Sequence, residues 1–92
     1  MQTWTFFTNH THVLVYLALH GDAPLREVAA AIGITERAVQ RIVRELEESG
    51  VLKYKKVGRC NHYSLNKQVA LRHPLEKHCK IGQILDVILK GV

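Results

Sequence analysis

The stretch GITERAVQRIVRELEESG, residues 33–50, places Arg37, Gln40, Arg41 and Arg44 at steps of three and one along the chain, all within one edge of a helix. An arginine fork can pair with O6 and N7 of guanine, a glutamine amide can read adenine, and a helix fits the major groove of B-DNA. The chemistry on offer is recognition of base edges. A plainer use of these arginines would be surface ion pairs, Arg41 with Glu45 and Arg44 with Glu48. Such pairs contribute only about 0.3–0.5 kcal/mol each, and arginine-before-glutamate is the weaker order. Arg37 lacks even that partner: four residues on stands Arg41, a like charge that a purely structural helix has no reason to keep. Thr35, just ahead of the helix, can cap a freed backbone amide and also lie beside a phosphate.

A second basic run follows, since Lys53 through Lys67 contains no acidic residue. Lys55 and Arg59 suit phosphates, contacts that position a protein on a duplex without reading its sequence. Without DNA, the same charges would only solvate a hairpin edge and deter strand aggregation. No phosphate loop, nucleophile elbow or carboxylate pair occurs, so catalytic residues are not expected and the chain does not read as an enzyme. His10, His12, His73, His78 and Cys79 invite a metal reading. Zinc needs about four converging ligands, however, and residues 78 and 79 would point apart on a helix. Neither metal nor cofactor is therefore expected. Cys60 and Cys79 lack C-x-x-C spacing and should be reduced thiols, with Cys79 small and buried and His62 exposed.

The elements that must hold these residues follow from periodicity. Residues 8–20 form a first helix with Val13, Leu14, Leu17 and Ala18 on one face. Residues 24–50 form a helix-turn-helix: Pro24 opens its first helix, Gly33 closes it, and Thr35 starts the next within about two residues, forcing a steep crossing. In that second helix Ala38, Val39, Ile42, Val43 and Leu46 pack while the arginine edge faces out. From 51 to 66 the period drops to two around a Gly58-Arg59 turn, a hairpin pairing Val57 with Cys60, Tyr54 with Tyr63 and Leu52 with Leu65. Lys53 and Lys55 then emerge on its other face. A last helix over 74–90 starts at Pro74 and carries Ile81, Ile84, Leu85, Ile88 and Leu89 on an apolar face suited to dimerisation. Trp4, Phe6 and Phe7 should pack on the first helix or a second subunit. The fold class is α+β, mostly α, in one domain.

Composition agrees with an anionic partner: 92 residues carry 13 Lys and Arg against 8 Asp and Glu, a net charge of +5. No apolar run is long enough to span a membrane and the start MQTWTFF lacks signal-peptide features, so a cytoplasmic protein is expected. A core this small is marginal alone, which favours a homodimer.

Three helices followed by a basic hairpin make a winged helix-turn-helix. LREVAAAIGITERAVQRIVRELEESGVL and VGRCNHYSL resemble the MarR-type transcriptional regulators and their ArsR-like neighbours over about two-thirds of the chain. The resemblance implies a third helix in the major groove and a wing along the backbone or minor groove. Carried over position by position, it nominates Thr35, Arg37, Gln40, Arg41 and Arg44 on the helix and Lys55 and Arg59 on the wing. MarR proteins have longer dimerising helices at both ends, with a phenolic-ligand cleft between them and the DNA-binding lobe; this chain is shorter. Metal-sensing relatives can carry cysteines on the recognition helix, and residues 33–50 hold neither Cys nor His. The function expected is a sequence-specific regulator of transcription, a dimer on a pseudo-palindromic operator in double-stranded DNA. A protein-interaction module and a metal-responsive sensor are the alternatives.

Overall fold

The computed structural model describes residues 3–91, and the positions of its apolar side chains explain the arrangement. Helix α1, Asn9–Leu19, buries Val13, Leu14 and Leu17. Against them lie Val28 and Ala29 of α2, Leu25–Ile32, and Val39, Ile42, Val43 and Leu46 of α3, Glu36–Glu48. Strands β1, Leu52–Val57, and β2, Cys60–Leu65, form one antiparallel hairpin, and α4, Ile81–Lys90, closes the chain. Leu17, Leu52 and Leu85 are almost wholly removed from water, each a contribution of roughly 1.5–3 kcal/mol.

Only residues 33–35 join α2 to α3. Gly33 adopts the left-handed conformation at φ 88° and donates its N–H to the Ala29 carbonyl at 2.8 Å. A side chain would be strained there, so glycine is what allows the chain to turn at once. Thr35 then accepts the Ala38 N–H on its hydroxyl at 3.0 Å, the N-cap of α3.

The hairpin register pairs Leu52 with Leu65, Tyr54 with Tyr63 and Val57 with Cys60. Leu52 is buried and Tyr63 and Leu65 are half-buried, whereas Lys53 and Lys55 stand exposed on the opposite face. The Tyr63 N–H donates to the Gly21 carbonyl at 2.7 Å, tying β2 to the link between α1 and α2.

The C-terminal segment differs from the helix expected over 74–90. Glu76 N–H donates to the His73 carbonyl and Cys79 N–H to that of Glu76, giving successive turns, and the helix begins only at Ile81. Tertiary pairing is the reason. Lys80 is held extended in a bridge to Ala70, and Leu71 N–H donates to the Cys79 carbonyl, so residues 70–80 close a loop before any helix can start. Gln83 then caps the helix by accepting the Lys80 N–H at 2.7 Å.

The apolar face of α4 is also divided. Leu85 packs in the chain's own core, which takes it out of the dimerisation set, and Ile81 and Leu89 are half-buried against the same core. Ile84 is half-buried, and Ile88 and Val87 are exposed. At the other end, Trp4 and Phe6 stack edge to face at 5.2 Å but are 62% and 89% exposed, so of the two expected partners, α1 and a second subunit, they do not pack on α1. Phe7 alone reaches a groove, which it lines with Val15, Leu19, Ile32 and Ile88.

Candidate nucleic-acid interface

Helix α3 presents two unlike sides because its apolar and charged residues alternate with the helical period. Val39, Ile42, Val43 and Leu46 are buried, and Arg37, Gln40, Arg41 and Arg44 are all exposed on the side away from them. The packed side fixes the helix; the exposed side is free to meet a ligand. Thr35 sits at the head of the same helix with its hydroxyl engaged in the cap.

The polar edge is partly restrained. Gln40 Nε2 donates to Glu36 Oε2 at 3.3 Å, and Arg41 Nη1 lies 3.5 Å from Glu45 Oε1. The companion pair, Arg44 with Glu48, is not formed. Among the described residues, Arg37 and Arg44 have no carboxylate within ion-pair distance.

The wing adds a second basic surface. Strand β1 packs directly against α3, and Lys53, Lys55, Lys56 and Arg59 are exposed. Lys55 stands opposite His62 and Lys53 opposite Ser64, with Arg59 in the turn between the strands. Among the described residues none of these four cations is ion-paired to a carboxylate.

One contact on this face had a signal in the sequence that charge spacing did not reveal. His10 Nε2 lies 2.8 Å from Glu45 Oε1, joining the first turn of α1 to α3 across 35 positions. His10 precedes Val13 by three and Leu14 by four, so it belongs to the inward edge of α1, and that periodicity could have placed it beside α3. The hydrogen bond with His10 holds the Glu45 carboxyl below the usual carboxylate range against partial desolvation, and the Arg41 charge acts in the same direction. His10 and Glu45 open onto a cleft of about 810 Å³ between α1, the end of α3 and residues 69–76.

The residues weighed as metal ligands are dispersed. His73, His78 and Cys79 lie in the turns before α4, not on a helix, and His73 Nδ1 accepts the Leu75 N–H. Among the described residues no group of three or more His, Cys, Asp or Glu is placed to hold an ion. Cys60 and Cys79 are free thiols, the first exposed and the second half-buried. No helix among the described residues is long and apolar enough to cross a membrane.

Comparison with known proteins points to the same elements. Over 66 residues the chain is 29% identical to an uncharacterized protein of Methanocaldococcus jannaschii, a match that covers 71% of this chain and 14% of that protein. The chain thus spans about one-seventh of that relative's length. Among solved structures, the AntR antimony-specific transcriptional repressor superposes with a TM-score of 0.56 at 22% identity, over 87% of this chain and 62% of that one, a likeness of fold. The family model for winged helix-turn-helix DNA-binding matches residues 8–53, from the head of α1 into β1 and including all of α3. On that match the chain belongs to the winged helix-turn-helix DNA-binding family.

Proposed function

We propose that this protein is a sequence-specific regulator of transcription of the MarR or ArsR kind, with α3 in the major groove of double-stranded DNA and the wing on the backbone. The observation that carries the reading is the division of α3. One side is locked in the core by four buried residues, and the other exposes Arg37, Gln40, Arg41 and Arg44 beside a hairpin of four cations that have no acidic partner among the described residues. A helix that only packs also exposes a polar side, but it has no reason to keep Arg37 and Arg41, like charges four residues apart, on one edge. Arg37 and Arg41, near the start of α3, meet base edges; Lys55 and Arg59 hold phosphates; Thr35 caps the helix and lies where a phosphate approaches a helix head.

The active form in this reading is a homodimer on a pseudo-palindromic operator. Ile84, Val87 and Ile88 on α4, with Phe7 lining a groove beside Ile88, supply apolar surface that a second copy would cover. Replacing Ile84 and Ile88 by Asp should give a monomer by light scattering, and a dimer unchanged by both substitutions places the interface elsewhere.

The test of partner and symmetry together is enrichment of bound fragments from random duplex DNA. A shared motif with two-fold symmetry is the expected result. Retention of duplexes without any common motif would mean that the arginine edge is only an electrostatic surface, and no retention at all would favour a protein-interaction module.

A further inference from the structure

From Glu36 to Arg44, helix α3 carries three arginines and one acid. That acid, Glu36, is exposed in the first turn and stands one turn ahead of Gln40, on the flank of the arginine edge. Among the described residues no cation lies within ion-pair distance of it. Its contact is with Gln40, whose Nε2 donates to Glu36 Oε2 at 3.3 Å. An ionised carboxylate only accepts hydrogen bonds, so the amide turns its nitrogen to Glu36. Glu36 Oε1 and the Gln40 carbonyl oxygen accept no hydrogen bond among the described residues. Two open acceptors thus flank three arginines that can only donate.

We propose that Glu36, steadied by Gln40, is a specificity-determining residue that accepts a hydrogen bond from the exocyclic amine of a base in the major groove, cytosine N4 above all. The inference rests on α3 being the reading helix. In that groove the amines of cytosine and adenine are the only hydrogen-bond donors, whereas guanine O6 and N7 and thymine O4 accept. Every base pair carries one amine, so the selection made by Glu36 is of a pair against its inversion, C·G against G·C. The arginines make the complementary selection, for guanine.

The physical basis is a penalty that only the right base relieves. A carboxylate carried into the groove loses water and stands among phosphates of its own sign, and this opposes binding on every duplex. A base amine offsets the loss through a charge-assisted hydrogen bond to Oε1, and the Gln40 contact on Oε2 stays in place. A guanine or thymine edge at the same position sets acceptor against acceptor, so the wrong pair keeps the whole penalty. Selectivity then comes from weakening wrong complexes as well as strengthening the right one. The plain use of an acid in a first turn is to complement the helix dipole. That use raises the stability of α3 and is blind to base sequence, which is how the two roles are told apart.

The experiment enriches duplexes from a random pool with the full chain and with Glu36→Ala and Glu36→Gln. Kd for a selected duplex and a random duplex is then measured by fluorescence anisotropy. The motif of Glu36→Ala should match that of the parent except at one position of each half-site, where the parent holds one pair and the variant accepts its inversion. N4-methylcytosine, or N6-methyladenine, at that position keeps the base pair but replaces the amine hydrogen that faces the groove with a methyl group. It should weaken the parent by about five- to hundredfold and Glu36→Ala by no more than about twofold. Glu36→Gln keeps the shape and adds an amide donor, so it too should accept the inverted pair, and it carries the comparison if Glu36→Ala does not fold. Both variants should bind the random duplex more tightly than the parent. A motif unchanged in Glu36→Ala and Glu36→Gln, or a methyl effect as large in the variant as in the parent, overturns the inference; lost stability in urea with an unchanged motif would assign Glu36 to the helix dipole alone. A parent that enriches no motif would instead overturn the assignment of α3 as the reading helix, and the inference with it.

Discussion

Helices α3 and α4 are both amphipathic, but they are delimited in different ways. Helix α3 is bounded by its own sequence: Gly33 and the Thr35 cap start it, and a glycine at 50 follows its end. Four of its apolar residues are buried together, so one side packs completely and the other is left free. Helix α4 starts where the tertiary structure lets it, after the Ala70–Lys80 bridge, with Ile81 N–H on the Val69 carbonyl and Gly82 N–H on that of Lys67. Its apolar residues are shared among the core, two grooves and open surface. A helix written by local signals can carry an exposed polar edge whose position its own sequence sets, whereas one placed by neighbouring chain depends on what it docks against.

The sharpest way to break that contrast is to attack the docking of α4. Leu85 is 1% exposed, and Leu85→Ala should lower stability by about 2–5 kcal/mol in urea unfolding. Gly82 tests the same point by addition. A Cβ there would lie 2.6 Å from Lys67 Cβ and 2.9 Å from the Lys67 carbonyl oxygen, so Gly82→Ala should cost about 1–3 kcal/mol even though alanine favours helix. A Gly82→Ala protein as stable as its parent would show that α4 is not pressed against residue 67.

The same contrast explains what the amino-acid sequence made legible. The hairpin register, the Thr35 cap and the two-sided α3 were readable because strand alternation, capping and helical period are local. In the hairpin, the alternation of Leu52 and Tyr54 on one strand and of Tyr63 and Leu65 on the other, about the Gly58 turn, leaves one register that gathers these side chains on a single face. The start of α4 was not readable, because Pro74 is an ordinary helix-opening signal and nothing near it announces that Lys80 pairs with Ala70. Nor does composition distinguish Leu85, which is buried, from Ile88, which is 38% exposed. On α3, the exposed edge of Arg37, Arg41 and Arg44 was readable from spacing. The His10–Glu45 contact needed the packing of α1 on α3.

A second comparison sets helix against wing. Arg37→Ala or Arg41→Ala should cost roughly 1–3 kcal/mol on the selected duplex and much less on random DNA. Lys55→Ala or Arg59→Ala should weaken both duplexes alike and reduce the slope of log K against log salt by about one unit per lost phosphate contact. One helix and one wing substitution should combine almost additively, since they touch different parts of the DNA. Equal proportional losses on both duplexes from either class would dissolve the distinction between reading and holding.

A smaller effect tests the local boundary of α3. Thr35→Ala removes the oxygen that accepts the Ala38 N–H, and stability should fall by about 1 kcal/mol. Thr35→Asn or Thr35→Asp, which keep a capping oxygen, should recover most of it. No loss in the alanine variant would mean that Gly33 and the packing of α2 set the start of α3 without the cap.

The smallest effect concerns acid. The hydrogen bond with His10, followed by the Arg41 charge, holds the Glu45 carboxyl below the usual carboxylate range, and the one with Lys67, followed by the charges of Lys67 and Lys90, does the same for Asp86 on α4. A carboxyl lowered on folding contributes stability that is present above its unfolded value and is lost as pH falls through the folded one. Relative to Glu45→Gln, the parent should thus be slightly more stable at neutral pH, and the difference should shrink below the ordinary carboxylate range. Both side chains of the pair are nearly half exposed, so solvent screens the interaction and the difference will be small. Site-resolved NMR titration is the more sensitive measurement: His10→Ala should return the Glu45 midpoint toward the ordinary value and leave that of Asp86 in place, because Lys67 and Lys90 act on Asp86 from another part of the chain. If both carboxylates move together in His10→Ala, the substitution has disturbed the fold that α3 and α4 share, and the tie between α1 and the polar edge of α3 is not a local contact.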